Sequence, residues 1–277
     1  MDEPARSQPI RLERHRWIAE ATNDIEIVTG VTCPTVRIHP AIIAHAAATS
    51  AHMLPNRFVL GLGSGENLNE HILGDRWPEV SVRLEMLEEA IEVIRLLWEG
   101  GVQSHHGRHY TVEGARLYDV PEEPPPIAIA GSGEKSVQLA ARAGDAFIGV
   151  APDPELLKSF DEAGGTGKPR YGEATVCWAP DEAEAVRTVS EKWPVAGITG
   201  QLMQELPMPA HFEQAAEMLD EDDLVEYVPH GPDPDRHIEG IRKFIDAGYD
   251  HIWIHQVGPD QEGFFRFYKE NVLPKLL

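Results

Sequence analysis

The longest regular pattern in the chain covers residues 81–98, where Leu84, Leu87, Ile91, Ile94 and Trp98 recur at intervals of three and four and charged residues fill the other face. That spacing predicts an amphipathic helix with its apolar stripe in the core, stopped by Gly100. Upstream, residues 25–31 (IEIVTGV) read as a strand, and Pro40 opens an alanine-rich helix to Met53 that suits close packing against a sheet. Phe58, Val59 and Leu60 form the next strand, which breaks into Gly61, Gly63 and Gly65. The strand-then-glycine pattern returns at residues 126–130, followed by Gly131, Ser132 and Gly133 and a helix over 134–142 that Gly144 stops. Further strands are predicted over 146–150, 173–178 and 251–257, and helices over 154–160, 181–193, 234–247 and 264–277.

Six strands in β/α alternation imply parallel pairing with covering helices. Glycine-marked loops follow several strand ends rather than one switch point, which favours a (β/α)8 barrel of the TIM type over an open sheet. Residues 17–277 are read as one barrel domain, with an excursion around 101–120 and an inserted helical region around 194–232, where Gly200, Pro207 and Pro209 separate short pieces. Residues 1–16 are polar, carry two prolines and lack a period, and are read as a poorly ordered arm.

The stretch RFVLGLGSGENLNE, residues 57–70, carries the first candidate chemistry. A strand ending in a glycine turn lets backbone amides approach a ligand. Ser64 falls at the turn, and Glu66 and Asn69, three apart, face one side if the next turn is helical. The same glycines would also serve a plain β-to-α turn. A dinucleotide fingerprint is excluded, because Glu66 stands where its last glycine is required and a long helix occupies the place of its second strand. A second anion site is predicted at the amides of residues 131–135, where a helix begins. His105, His106 and His109 have no acid or cysteine at a metal-ligand offset and are read as solvated, so no metal site is predicted.

Composition narrows the partners. Asp and Glu number 46 against 24 Lys and Arg, a formal charge of -22, which argues against nucleic acid and anionic membrane. Such a surface suits an acidic, high-salt proteome of a halophile, and equally an ordinary acidic enzyme. No apolar stretch is long enough to span a membrane, and a cytoplasmic location is expected. Cys33 and Cys177 lie far apart in apolar stretches and are expected as reduced core thiols.

The segments TGVTCPTVRIHPA, LPNRFVLGLGSGENLNE, HILGDRWPE, LLWEG, IAIAGSG and ARAGDAF together resemble the luciferase-like flavin and deazaflavin superfamily (LLM class), in its branch related to deazaflavin-dependent glucose-6-phosphate dehydrogenase. The resemblance implies a barrel, a homodimer, and coenzyme F420 (8-hydroxy-5-deazaflavin) at the C-terminal mouth of the strands, accepting a hydride from a small-molecule substrate. By match to the family's pattern, Gly30 and Val31 form a non-proline cis bond that braces the ring, and Cys33 borders the same pocket. Ser64, Gly65 and Asn69 match positions around the coenzyme tail, Gly131, Ser132 and Gly133 its phosphate site, and Glu66 the carboxylate facing the reacting centre.

Two departures from the pattern follow. Positions that hold a sugar phosphate through cations in the branch match Thr175, Glu226 and the Glu262–Gly263 pair, so a neutral alcohol or sugar-like substrate is expected, with His255 a further pocket candidate. The family's first strand, first helix and second strand, with the histidine that serves as base, find no counterpart, leaving about six recognisable strands. The function read from the sequence is therefore an F420-dependent dehydrogenase. The alternatives are an FMN-dependent luciferase-like monooxygenase and a catalytically silent barrel fragment or partner subunit.

Overall fold

The computed structural model describes residues 18–198 and 200–276, so the arm read over 1–16 lies outside the described residues. The chain forms two compact units, one from the described part of Met1–Ser64 with Pro78–Ile129, the other from Gly65–Trp77 with the described part of Ala130–Leu277.

In the first unit, β1 (Ile27–Val28) pairs in parallel with β2 (Phe58–Leu62), Ile27 opposite Phe58 and Val28 opposite Val59. The strand expected over 25–31 is thus reduced to two residues, since beyond Val28 a side chain takes over the pairing: the Thr29 hydroxyl donates to Gly61 O (3.0 Å) and accepts from Gly61 N (2.8 Å). Between β1 and β2 runs α1 (Pro40–Met53), opened by Pro40 behind His39, whose Nδ1 accepts from Ala41 N. Its buried face is mostly small: Ile43, Ala44, Ala47, Ala48, Ser50 and Ala51. Small side chains let α2 (Val80–Trp98) come close enough for Trp98 Nε1 to donate to Ala44 O at 2.9 Å. α2 buries Leu87, Ile91, Ile94 and Trp98 as its period predicts, while Leu84 is only half-buried and Arg83 is fully buried, donating to Pro78 O at 2.7 Å.

The excursion after α2 is an antiparallel hairpin, β3 (Gln103–His106) and β4 (Thr111–Ala115), after which β5 (Ile127–Ala130) returns to pair in parallel with β2. Two of the three histidines here, His105 and His109, are not simply solvated, while His106 is exposed beside Glu113 of its own hairpin. Glu89 of α2 contacts His105 Nε2 at 3.2 Å, and Glu85 lies 3.6 Å from His109 Nε2, whose side chain is only 13% exposed. These two acids come from the preceding helix, a pairing invisible at local offsets. No metal-binding cluster forms among the described residues.

The second unit holds β6 (Ala146–Gly149), β7 (Arg170–Val176) and β8 (His251–Gln256), parallel in that order. α3 (Glu134–Ala143), α4 (Pro154–Phe160), α5 (Glu182–Lys192), α6 (Pro234–Ala247) and α7 (Gln261–Phe267) accompany them. Asp153, Asp181, Asp233 and Asp260 each cap one of these helices through a side-chain oxygen, which gives four of the acidic residues a structural role. Alternation along β7 sends Val176 into an apolar cluster with Ile238, Ile241, Phe264, Tyr268 and Val272. On its other face Tyr171 stacks on Trp253 at 5.2 Å and Thr175 meets His255.

Among the described residues of 194–232, three short helices form, Leu202–Glu205, Pro209–Ala216 and Glu221–Glu226. After them the backbone at His230 pairs with Cys177 just beyond β7, a contact the sequence reading did not contain. The closing helix starts earlier than expected, at Gln261, and widens at Tyr268–Val272 before Pro274. Neither cysteine is in a disulfide; Cys177 is buried, as expected, but Cys33 is only half-buried rather than a core thiol. Burial, with the Glu184 charge second, pushes the Cys177 thiol up to about 11. Among the described residues, no helix is long and apolar enough to cross a membrane.

Candidate functional site

The first unit carries the end of β2 and the segment after β1, and the second carries the chain from Gly65 to Trp77. In the first, the Gly30–Val31 peptide is cis, at the position the resemblance implied. Directly after it Thr32 N donates to Gly61 O (2.8 Å) and Gly63 N donates to Thr32 O (3.0 Å), tying this segment to the end of β2. Thr35 Oγ1 donates to Ser64 O at 3.3 Å and lies 3.0 Å from Cys33 Sγ. Cys33 and Ser64 are therefore joined through one hydroxyl.

In the second unit, Gly65 adopts φ +89, a conformation that disfavours any side chain, and Glu66 follows in extended backbone as the residue before the single helical turn Asn67–Glu70. Asn69 Nδ2 donates to Glu66 Oε2 at 3.0 Å, so the three-residue spacing does bring the two side chains to one side. Glu66 is exposed by surface area, yet protein crowds it enough that desolvation moves its carboxyl above the ordinary range, against the Asn69 hydrogen bond. The neighbouring Asn67 Nδ2 donates to Glu205 O (2.9 Å), which pins the first short helix of 194–232 to this turn.

Gly131, Ser132 and Gly133 link β5 to α3. A Cβ on Gly131 would stand 2.8 Å from Ser136 Oγ and 3.1 Å from the Ser136 backbone, so a side chain there would force Ser136 to shift. At Gly133 such a carbon would meet nothing within 4 Å, which leaves the helix start open to a ligand. First-turn amides of α3 have no partner inside the helix and favour an anion. Glu134, whose charge would oppose one, accepts from Gln138 Nε2 one turn on, at 3.2 Å.

At the C-terminal ends of β7 and β8, Thr175 Oγ1 lies 3.4 Å from His255 Nδ1, Glu173 Oε1 lies 3.7 Å from the same nitrogen, and Trp193 packs edge-on against the imidazole. Thr175 and His255 are thus brought together. Glu173 and Trp193 are the neighbours the sequence reading missed; the period-two relation of Glu173 to Thr175 is the signal that would have found the first. Glu226 is exposed at the end of its short helix, and Glu262 is exposed beside Arg266, 3.6 Å away. Neither is brought to Thr175 by any contact described.

The profile of the luciferase-like monooxygenase family matches residues 17–251. The chain belongs to this family. Among its relatives is the F420-dependent glucose-6-phosphate dehydrogenase of Microbacterium testaceum, 36% identical over 267 residues, covering 92% of this chain and 79% of the relative. The enzyme of the same name from Nakamurella multipartita is 33% identical, covering 94% and 80%. A solved F420-dependent secondary alcohol dehydrogenase, in complex with an F420-acetone adduct, superposes with a TM-score of 0.86 at 28% identity over 95% of this chain and 83% of that one. The F420-dependent tetrahydromethanopterin reductase from Methanopyrus kandleri shares the fold at 18% identity and a TM-score of 0.74. The fold is accordingly the luciferase-like barrel type expected from the sequence, with six parallel strands recognised among the described residues.

Proposed function

We propose that this chain is an oxidoreductase that moves a hydride between a neutral alcohol or sugar-like substrate and coenzyme F420. The observation that carries the reading is Glu66: a carboxyl raised by desolvation, steadied by Asn69, at the end of a glycine turn in a chain similar to F420-dependent dehydrogenases. When bound, the deazaflavin supplies the hydride acceptor. The protein's share is to hold it and to handle the proton that leaves the substrate hydroxyl.

In this reading Gly30, Val31 and Cys33 border the ring, Ser64, Gly65 and Asn69 the tail, and Gly131–Gly133 with the α3 amides the phosphate. The open space at Gly133 and the close approach at Gly131 support that fit, since amides can hold a phosphate without cations in an acidic chain. Glu66 exchanges the proton, a role suited to a carboxyl whose pKa lies nearer the working pH. Thr175 and His255 offer a hydroxyl and an imidazole to substrate oxygens, with Glu173 beside them. A carboxylate there repels a phosphorylated sugar and accepts a neutral hydroxyl. A homodimer and a cytoplasmic setting belong to the reading on the family resemblance alone.

Equilibrium dialysis against coenzyme F420, FMN and NADP tests the coenzyme. F420 is expected to bind far more tightly than the other two; equal or better FMN binding would overturn the reading in favour of a monooxygenase. Steady-state assays with F420 then compare a secondary alcohol, a neutral aldose and glucose 6-phosphate. Preference for the phosphorylated sugar would refute the substrate class while leaving the coenzyme intact.

A further inference from the structure

We propose that Tyr110 is a positioning residue for the coenzyme-facing segment at Cys33 and Ser64, locked in place by Glu89; the proposal rests on the F420 reading above. Every group involved lies in the first unit.

The anchor is the Glu89 carboxylate on α2. It accepts from the backbone amides of Arg108 (3.1 Å), His109 (2.9 Å) and Tyr110 (2.7 Å), and His105 Nε2 lies 3.2 Å away. A carboxylate is acceptor-only with about four lone-pair sites, so these partners saturate it and fix the backbone of the hairpin loop. Burial alone would raise this carboxyl, but the Tyr110 and His109 amides and His105 hold it below its ordinary range.

From that loop the buried Tyr110 side chain crosses to the segment after β1. Its hydroxyl lies 2.9 Å from Pro34 O and 2.8 Å from Thr35 O, and its ring meets His39 edge-on at 5.5 Å. One proton is shared between two carbonyls, which draws both toward a single point and fixes the peptide between them. Thr35 then donates its own proton to Ser64 O, which leaves the Cys33 thiol as donor to Thr35 Oγ1. A continuous set of hydrogen bonds therefore runs from α2 through the hairpin to the two candidate coenzyme residues.

The hairpin is held together by other groups. Its strands pair with each other, His105 opposite Val112 and His106 opposite Thr111, and Glu89 is filled by amides and imidazole. Phenylalanine would supply the same ring to the core. The two hydrogen bonds that the hydroxyl donates at 2.9 and 2.8 Å both go to the segment that follows the cis bond.

Tyr110→Phe keeps the ring and removes the hydroxyl that donates to Pro34 O and Thr35 O. If the segment then holds its binding geometry about a tenth of the time, the F420 dissociation constant rises about tenfold, because apparent affinity scales with the competent fraction. Equilibrium dialysis measures this without turnover, and a thermal melt runs alongside. Trp98→Phe is the control, since it removes a buried hydrogen bond of the same unit, from α2 to α1, that is no member of this series. It is expected to lower the melting temperature while leaving F420 affinity unchanged. Tyr110→Phe that binds F420 as the unaltered chain does, whatever its melting temperature, overturns the positioning role alone. Failure of the unaltered chain to bind F420 overturns the coenzyme reading and this proposal together.

Discussion

Glu66→Gln separates proton exchange from shape at the candidate site. The hydrogen-bonding partner described for the Glu66 side chain is Asn69 Nδ2, at 3.0 Å, and a glutamine oxygen can accept the same bond. Geometry is therefore kept while the titrating oxygen is lost. Loss of a general acid or base lowers turnover by about 10²–10⁴-fold, equivalent to roughly 3–5 kcal/mol of transition-state stabilisation. The assay is single-turnover reduction of bound F420 with a neutral secondary alcohol, with the F420 dissociation constant measured separately. The rate should fall and the affinity should stay within about threefold. The pH profile adds an independent reading. Desolvation places the Glu66 limb above the ordinary value of 4.5, and Asn69→Ala removes the hydrogen bond that favours the charged form, so the limb should move to still higher pH. A Glu66→Gln rate within about threefold of the unaltered chain, or a limb that moves down in Asn69→Ala, would refute the assignment.

Two further predictions concern stability. His237 is fully buried between Tyr268 Oη (2.9 Å) and Gly231 O (3.0 Å), and burial chiefly lowers its pKa. Its folded value lies below its unfolded value of about 6.5, so the unfolded state binds the extra proton first and stability falls as pH drops below about 6.5. Urea midpoints at neutral and acid pH should show this slope, and His237→Gln should flatten it; an unchanged slope would remove His237 as the cause. Leu87→Ala, at a position with no exposure on α2, should cost about 2–5 kcal/mol in urea unfolding. A cost under about 1 kcal/mol would mean that the packing of α2 is looser than its burial implies.

The sequence by itself determined the elements whose cause is local. The stripe of Leu87, Ile91, Ile94 and Trp98 gives α2 its buried face, and aspartates followed by proline at Pro154 and Pro234 start α4 and α6 where expected. Glu66 and Asn69 were legible as a pair because three residues of helix carry a side chain nearly one turn. Tertiary structure decided what depends on partners distant in the chain. Strand β1 shrinks to two residues because the Thr29 hydroxyl takes over pairing with Gly61, and no period records that substitution. Arg83 is buried although it interrupts an apolar stripe, and His105 and His109 meet acids of α2 rather than of their own hairpin. The Glu89–Tyr110–Thr35 series joins a helix, a hairpin and a strand-end loop. Each of its members reads locally as an ordinary surface acid, an aromatic in a strand or a turn residue; only the fold brings their hydrogen-bonding groups within 3.5 Å, where burial makes leaving any of them unpaired costly.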